Sequence, residues 1–281
     1  MADTLKKITI EGFKSIKSLK DFKPGSLSVL IGANGAGKSN FVSFFRFLNE
    51  MIHQRLQTAV AVEGGADALL FMGPKETPRL TGKLYFGGNG YEFALVPTHD
   101  GRLVFADEGT YFSGDYGESR RSFGSGHSEA ELKDHRDERG KRGAAYGVPS
   151  YAYDAVSRWV VYHFHDTSFH AGVRRPHAIN DNLAFRNNAD NLAPFLYHIA
   201  RTSPVCYARI RDAVRLAAPF FDDFLLRPMP ANEELIQLEW RQRDSDYPFR
   251  VSQLSDGTLR FICLATALLQ PAPPSTILFD E

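Results

Sequence analysis

One eight-residue run constrains this chain more than any other: Gly32-Ala33-Asn34-Gly35-Ala36-Gly37-Lys38-Ser39. It fits the pattern G-x-x-x-x-G-K-[ST]. It stands after a short apolar run, Leu27–Ile31, and before an amphipathic stretch that begins at Lys38. The residue types follow from the chemistry of a polyphosphate. Several donors must converge on its oxygens, and backbone N–H groups can do so only where glycine lets the chain curl tightly. A helix N-terminus adds unpaired N–H groups and a favourable dipole. The pattern predicts ATP as the bound nucleotide. Lys38 is expected at the β- and γ-phosphates, and the Ser39 hydroxyl on Mg²⁺. Gly32, Asn34, Gly35, Ala36, Gly37 and Asn40 complete the expected cradle.

The last residues supply a second motif. Thr276–Phe279 is an apolar strand pattern followed by Asp280 and Glu281. In an ATPase sheet the first carboxylate can hold Mg²⁺, and the second can orient and polarise the attacking water. Asp280 is therefore a metal candidate, while Glu281 and Lys38 are the catalytic candidates. A third feature is Leu254-Ser255-Asp256-Gly257-Thr258, directly before an apolar helix pattern at Leu259–Leu269. Ser255 and Gly257 can offer a hydroxyl and N–H groups to an anion, or Ser255 can be an ordinary helix cap.

Around these motifs, apolar periodicity predicts strands at Leu5–Phe13, Ser15–Phe22, Leu27–Ile31, Arg102–Ala106, Arg158–Phe164 and Leu235–Trp240. A hairpin is expected from Leu80–Phe86 and Tyr91–Val96. Helices are expected from Lys38 to about Gln57, carrying Phe41, Phe44, Phe45, Leu48 and Ile52 on one face, and over Ala189–Ala200 and Val205–Leu226. From Gly109 to Gly147 the composition turns to glycine, serine and charge, with seven acidic and seven basic residues over 115–142. Ser122–Gly126 reads as loop and Glu129–Arg142 as a short exposed helix. This interval is either a mobile surface insertion or an arm that grips a partner or a nucleic acid.

The 281 residues suit one large domain or two small ones. With 33 basic and 33 acidic residues the chain carries no overall basic signal for nucleic acid, although a local patch is compatible with that balance. Cys206 and Cys263 lie in apolar segments without metal-ligand spacing and read as buried thiols in a reducing compartment. No signal peptide or membrane span is legible, so a cytoplasmic protein without a membrane partner is expected. His163 and His165 fit either packing and surface roles or a metal.

Together the three motifs resemble the ABC-type ATPase heads of the SMC and RecF group, and most of all the small bacterial RecF-like and OLD-like AAA ATPases. Leu254–Thr258 resembles the signature written LSGGQ, with Asp256 and Thr258 as departures. Ile10–Ser15 resembles the N-terminal segment of that group, which implies Lys14 and Ser15 near the nucleotide. Tyr162–Thr167 and Asn191–Leu196 look like further segments of it, without a chemistry we can attach. No residue is assignable as the group's glutamine loop.

The resemblance implies an α/β P-loop head with a mixed core sheet that carries the phosphate loop and the Asp280 strand side by side. It also implies an antiparallel side sheet and a helical lobe over Ala189–Leu226. Expected boundaries are 1–108 for the phosphate-loop lobe, 109–150 for the charged insertion, 151–248 for a strand and the helical lobe, and 249–281 for the signature helix and acidic strand. It further implies a homodimer, or a higher oligomer built on it, with two ATPs sandwiched so that Ser255, Asp256 and Gly257 act on the partner's nucleotide. ATP would close the pair and hydrolysis would release it, in DNA maintenance or anti-phage defence. An ATP-gated scaffold that controls an effector protein without touching DNA is the alternative. Family heads continue past the acidic strand, so a longer intact protein is expected.

Overall fold

The computed structural model describes residues 4–114, 117–136 and 147–280. It is a mixed α/β structure with one large antiparallel sheet. The chain divides into two compact units, Met1–Val160 with Ser275–Leu278, and Val161–Pro274 with Phe279–Glu281.

In the first unit, β1 (Lys7–Phe13), β2 (Ile16–Phe22), β3 (Leu80–Phe86), β4 (Asn89–Pro97), β5 (Leu103–Gly114) and β6 (Gly117–Gly124) form the sheet in the order β2-β1-β3-β4-β5-β6. Period-two patterning explains β3, where Leu80, Leu84 and Phe86 are buried while Thr81, Lys83 and Tyr85 alternate with them. Gly82 faces the same side, because a Cβ there would stand 2.3 Å from the Phe93 ring on β4. Against the sheet lies α1 (Lys38–Ile52), which buries Val42, Phe44, Phe45, Phe47, Leu48, Met51 and Ile52. Phe44 meets Phe13 edge-on at 5.3 Å and stacks with Phe93 at 6.4 Å. Burying each such ring contributes about 1.5–3 kcal/mol. The first unit also holds α2 (Leu56–Val62), α3 (Ala66–Leu69) and α4 (Val148–Ser157).

Three expectations for this unit are corrected. First, α1 ends at Ile52 instead of near Gln57, because Gln54 takes a left-handed φ of 59° that no helix continues through. Second, the described part of the charged interval after Gly109 is built into the fold: it extends β5 and supplies β6, so Ser122–Gly124 is strand rather than loop. Its charges have specific work, which net balance conceals. Both carboxylate oxygens of Glu129 accept from the N–H groups of Leu56 and Gln57 at 2.7 and 3.1 Å, capping α2, and Ala130 and Leu132 are fully buried. The stretch 131–136 is turn, not helix, and 137–142 of that expected helix lies outside the described residues. Third, Leu27–Ile31 is not a strand. Leu27, Val29 and Ile31 are 84, 72 and 91% exposed. An apolar run becomes a strand only where a neighbour completes its ladder, and no described segment pairs with this one. Among the described residues this run therefore does not stand beside the acidic strand in a core sheet. Instead β7 (Trp159–Tyr162) pairs with the acidic strand, Thr276–Phe279.

The second unit carries β8 (His177–Ala178), α5 (Leu192–Thr202), α6 (Pro204–Ala217), β9 (Phe221–Leu225), β10 (Pro228–Met229), β11 (Asn232–Ile236), β12 (Glu239–Gln242), β13 (Pro248–Arg250) and α7 (Asp256–Leu269). The final strand is β14 (Thr276–Phe279), of which Thr276–Leu278 belong to the first unit. Two small sheets run β10-β11-β8 and β13-β12-β9. The helix expected over Val205–Leu226 stops at Ala217. Phe221 and Phe224 instead pack on each other at 4.7 Å, and Phe221 stacks on Trp240 of β12 at 6.1 Å. The contact with Trp240 is long-range and overrides helical periodicity. The strand expected over Leu235–Trp240 is two strands in different sheets, parted at Gln237, whose side chain donates to the Arg174 carbonyl at 2.7 Å. No described helix is long and apolar enough to cross a membrane.

Candidate functional site

The phosphate loop lies entirely within the first unit. Ala36 N–H donates to the Ala33 carbonyl at 3.1 Å, and Gly35 and Gly37 take φ of 84° and 92°. Those are left-handed values that a Cβ disfavours, which is the reason for glycine at both places. Gly37 is the N-cap of α1. No side chain caps that terminus and no acidic residue occupies its first turn. The first-turn N–H groups and the positive end of the helix dipole are thus left for an external anion. Lys38 folds back over the loop and donates to the carbonyls of Gly32 and Ala33 at 2.8 and 2.9 Å. These bonds use two of its three N–H donors and hold the ammonium on the loop. Gly32, Asn34, Gly35, Ala36 and Ser39 are exposed. The donor set, N–H groups with one ammonium and no carboxylate, fits a triphosphate, and the Ser39 hydroxyl is one oxygen ligand available to a cation bound with it.

Ser15 and Lys14 form the turn between β1 and β2, and the structure separates their roles. Asn40 Nδ2 donates to Ser15 Oγ at 2.7 Å, which ties the first turn of α1 to that hairpin. Lys14, at a left-handed φ of 48°, donates to Ser43 Oγ at 2.7 Å and pairs with Glu63 at 2.8 Å. Its charge is engaged by a carboxylate, whereas Ser15 stands directly against the loop.

Within the second unit, Ser255 is the N-cap of α7. Its Oγ accepts from Thr258 N–H at 3.2 Å and lies 2.9 Å from Thr258 Oγ1. The capping reading of the sequence is therefore correct for Ser255, and it does not compete with the anion reading, since Gly257 and the exposed face of Ser255 remain open to solvent. Asp256 pairs with Arg174 at 2.8 Å. Thr167, Ser168, Phe169, Arg174, Ser252 and Leu254 surround a shallow depression beside Ser255 and Asp256.

At the end of β14, Asp280 N–H donates to the Tyr162 carbonyl at 3.1 Å, and Phe279 stacks on Tyr162 at 5.8 Å. These contacts fix the strand end from which the carboxylate projects. His163 Nδ1 donates to the Asp280 carbonyl at 3.1 Å, and its ring lies 6.0 Å from that of His165. Among the described residues no group of three or more His, Cys, Asp or Glu side chains is placed to hold a metal by itself. Glu281 lies outside the described residues.

Two residues escaped sequence reasoning. Arg174 organises the signature turn from eighty residues away, with no motif to mark it. Asn191, fully buried, accepts from Arg186 N–H and donates to the carbonyls of Asp181 and Ala184 at 2.9 and 2.8 Å. It pins the loop ahead of α5, which gives the Asn191–Leu196 segment a structural role.

A family described as "AAA domain, putative AbiEii toxin, Type IV TA system" matches residues 111–281, more than half of the chain. That span includes the signature turn and the acidic strand, and begins after the phosphate loop. No curated protein matches the chain. Among solved structures, an SMC head domain from Thermotoga maritima aligns over 96% of this chain and 75% of its own, with 15% identity and a TM-score of 0.36.

Proposed function

We propose, from the premise that this chain belongs to the AAA-domain family whose description also names the AbiEii toxin of type IV toxin–antitoxin systems, that it binds and hydrolyses ATP and uses the nucleotide to join two copies. The observation that carries this reading is the uncapped, acid-free N-terminus of α1 with Gly37 in the left-handed conformation and Lys38 folded over the loop.

In this reading the loop N–H groups from Gly32 to Ser39 and the Lys38 ammonium hold the β- and γ-phosphates. They stabilise charge that builds on the phosphoryl oxygens during transfer, the main catalytic contribution open to a protein in such chemistry. Ser39 Oγ would give Mg²⁺ one oxygen ligand beside the loop, Asp280 is the carboxylate proposed for the metal, and the ion would shield the phosphate charge. Glu281 orients and polarises the attacking water. Ser255 and Gly257 of one copy address the γ-phosphate held by the other, so the closed dimer is populated only while that phosphate is present. The switch would act on DNA or on an effector protein in genome maintenance or defence.

Calorimetry of the full-length protein with ATP, with and without Mg²⁺, tests the reading. Wild-type protein should take up ATP in a magnesium-dependent way. Lys38→Ala should weaken uptake at least tenfold, about 1.4 kcal/mol. Equal uptake by both proteins would remove the phosphate-loop assignment. Light scattering then reads the second half of the proposal: Glu281→Gln should accumulate as an ATP-loaded dimer, and a monomer at saturating ATP contradicts the sandwich.

A further inference from the structure

Arg174 stands at the end of a 3-10 turn, Gly172–Arg174, and is 9% exposed. Its guanidinium makes one bond to Thr167 and directs the rest at the stretch Val251–Asp256. Nε donates to the Thr167 carbonyl at 2.8 Å. Nη1 donates to the Val251 carbonyl at 2.6 Å and the Leu254 carbonyl at 3.4 Å. Nη2 donates to Leu254 at 3.3 Å and to Asp256 Oδ1 at 2.8 Å. These contacts occupy all five N–H donors of an arginine. A lysine, with three donors on one atom, cannot reproduce that fork.

The acceptors bracket the signature turn. Val251 opens the 3-10 turn that leads into it, Leu254 is the residue before Ser255, and Asp256 is the residue after. The hydroxyl of Ser255 and the N–H of Gly257 are therefore presented by a backbone whose carbonyls are gathered on one buried cation. Arg174 is itself held, with its N–H donating to Ala171 at 3.1 Å and its carbonyl accepting from Gln237. It also supplies the counter-charge for Asp256, which stands where the LSGGQ pattern has glycine. That carboxylate is 65% exposed, so only its inner oxygen is committed to Arg174.

We propose that Arg174 is a positioning residue that shapes the Leu254–Asp256 turn for contact with the nucleotide of a second copy. The inference rests on the trans role of Ser255 and Gly257 given above. Without the guanidinium, the carbonyls of Thr167, Val251 and Leu254 and the Asp256 carboxylate lose its hydrogen bonds, and the turn relaxes. The Ser255–Thr258 cap is local to α7 and needs no arginine, so the helix persists. Phosphate binding by Lys38 on the same copy does not pass through Arg174.

The test uses full-length protein with Mg-ATP and the variants Arg174→Met, Arg174→Lys, Asp256→Asn, Ser255→Ala and Lys38→Ala. Binding of a fluorescent ATP analogue, ATP-dependent dimerisation by light scattering, and kcat with KM are measured on each. Arg174→Met and Arg174→Lys should bind the analogue within about twofold of wild type, dimerise only at about tenfold higher protein concentration, and lose about tenfold in kcat. Asp256→Asn should lose about threefold in both latter readouts with an unchanged melting temperature. Should Arg174→Met fail to fold, Arg174→Lys and Asp256→Asn decide the matter. Wild-type dimerisation and kcat in those two, with Ser255→Ala impaired, overturn the role of Arg174 alone. Analogue binding lost in step with dimerisation does the same, since it marks general damage. If Ser255→Ala dimerises and turns over like wild type while Lys38→Ala does not bind, the trans reading of the turn fails and Arg174's role with it.

Discussion

Ser15 Oγ accepts a hydrogen bond from Asn40 at 2.7 Å, and the same oxygen lies 2.8 Å from where a Cβ on Gly37 would be. The β1–β2 turn and the start of α1 thus meet at a place with no room for a methyl group. Gly37 is required twice, once by its φ of 92° and once by this contact.

Gly37→Ala should therefore be costly at the loop and mild elsewhere. We expect about 1–3 kcal/mol of destabilisation from the left-handed backbone and the contact with Ser15 together, with Mg-ATP affinity reduced at least tenfold. Chemical denaturation and calorimetry on the same preparation measure both. Combining the change with Ser15→Gly, which removes the obstructing oxygen, should restore part of the stability while the φ penalty remains.

Glu108 is fully buried on β5 and accepts from Tyr91 Oη at 2.7 Å, His127 Nε2 at 2.7 Å and the N–H groups of Glu131 and Leu132 at 2.9 and 3.2 Å. Glu108→Gln turns an NH₂ group toward at least one of these donors. The expected loss is about 3 kcal/mol, as for breaking a buried charged hydrogen-bond network. Thermal unfolding of the pair of proteins reads it directly, and a change under 1 kcal/mol would contradict the network.

Asn191→Ala strips three bonds from a fully buried site and leaves the carbonyls of Asp181 and Ala184 without their donor. A loss of about 2–3 kcal/mol is expected. Hydrogen exchange should localise the added opening to 181–191, ahead of α5.

Asp222 sits between two arginines. Arg241 Nε donates to it at 2.8 Å and Arg215 Nη2 at 2.8 Å, and the bond from Arg241 leads in holding its carboxyl below the usual range. A carboxyl depressed in the folded state binds its proton more readily when unfolded. Its stabilisation is therefore complete above the unfolded value, near 3.9, and disappears as pH falls through the lower folded value. Asp222→Asn should cost about 1 kcal/mol at pH 7, a modest figure because the pairs are partly solvated. The difference from wild type should shrink below pH 4, as urea titrations across pH 3–7 would show. A gap that widens as pH falls has the wrong sign for this account.

Much of the fold and of the loop was legible in the sequence because the interactions that build them are local. Glycine at 35 and 37, lysine at 38 and an apolar stripe from Phe44 to Ile52 specify a phosphate loop running into a helix. Alternation specifies β1, β3 and β4. The Ser255 cap on α7 follows from one hydroxyl and the N–H three residues on. What failed depends on distant partners. Leu27–Ile31 has every local mark of a strand, yet a strand exists only where another segment completes its hydrogen bonds. Phe221 and Phe224 fit helical spacing until Trp240 stacks on Phe221.

Residue identity by itself therefore determined that this chain carries a glycine-rich loop of the G-x-x-x-x-G-K-[ST] pattern, a signature-like turn and an acidic strand end. Only the tertiary structure decided that the charged interval supplies β6 and the Glu129 cap of α2, that Lys14 is paired with Glu63, and that Arg174 gathers the carbonyls around Ser255. The physical reason is range. Backbone conformation and capping are settled within a few residues, whereas the pairing of a buried charge is settled by whichever donors and acceptors folding brings within 3 Å of it.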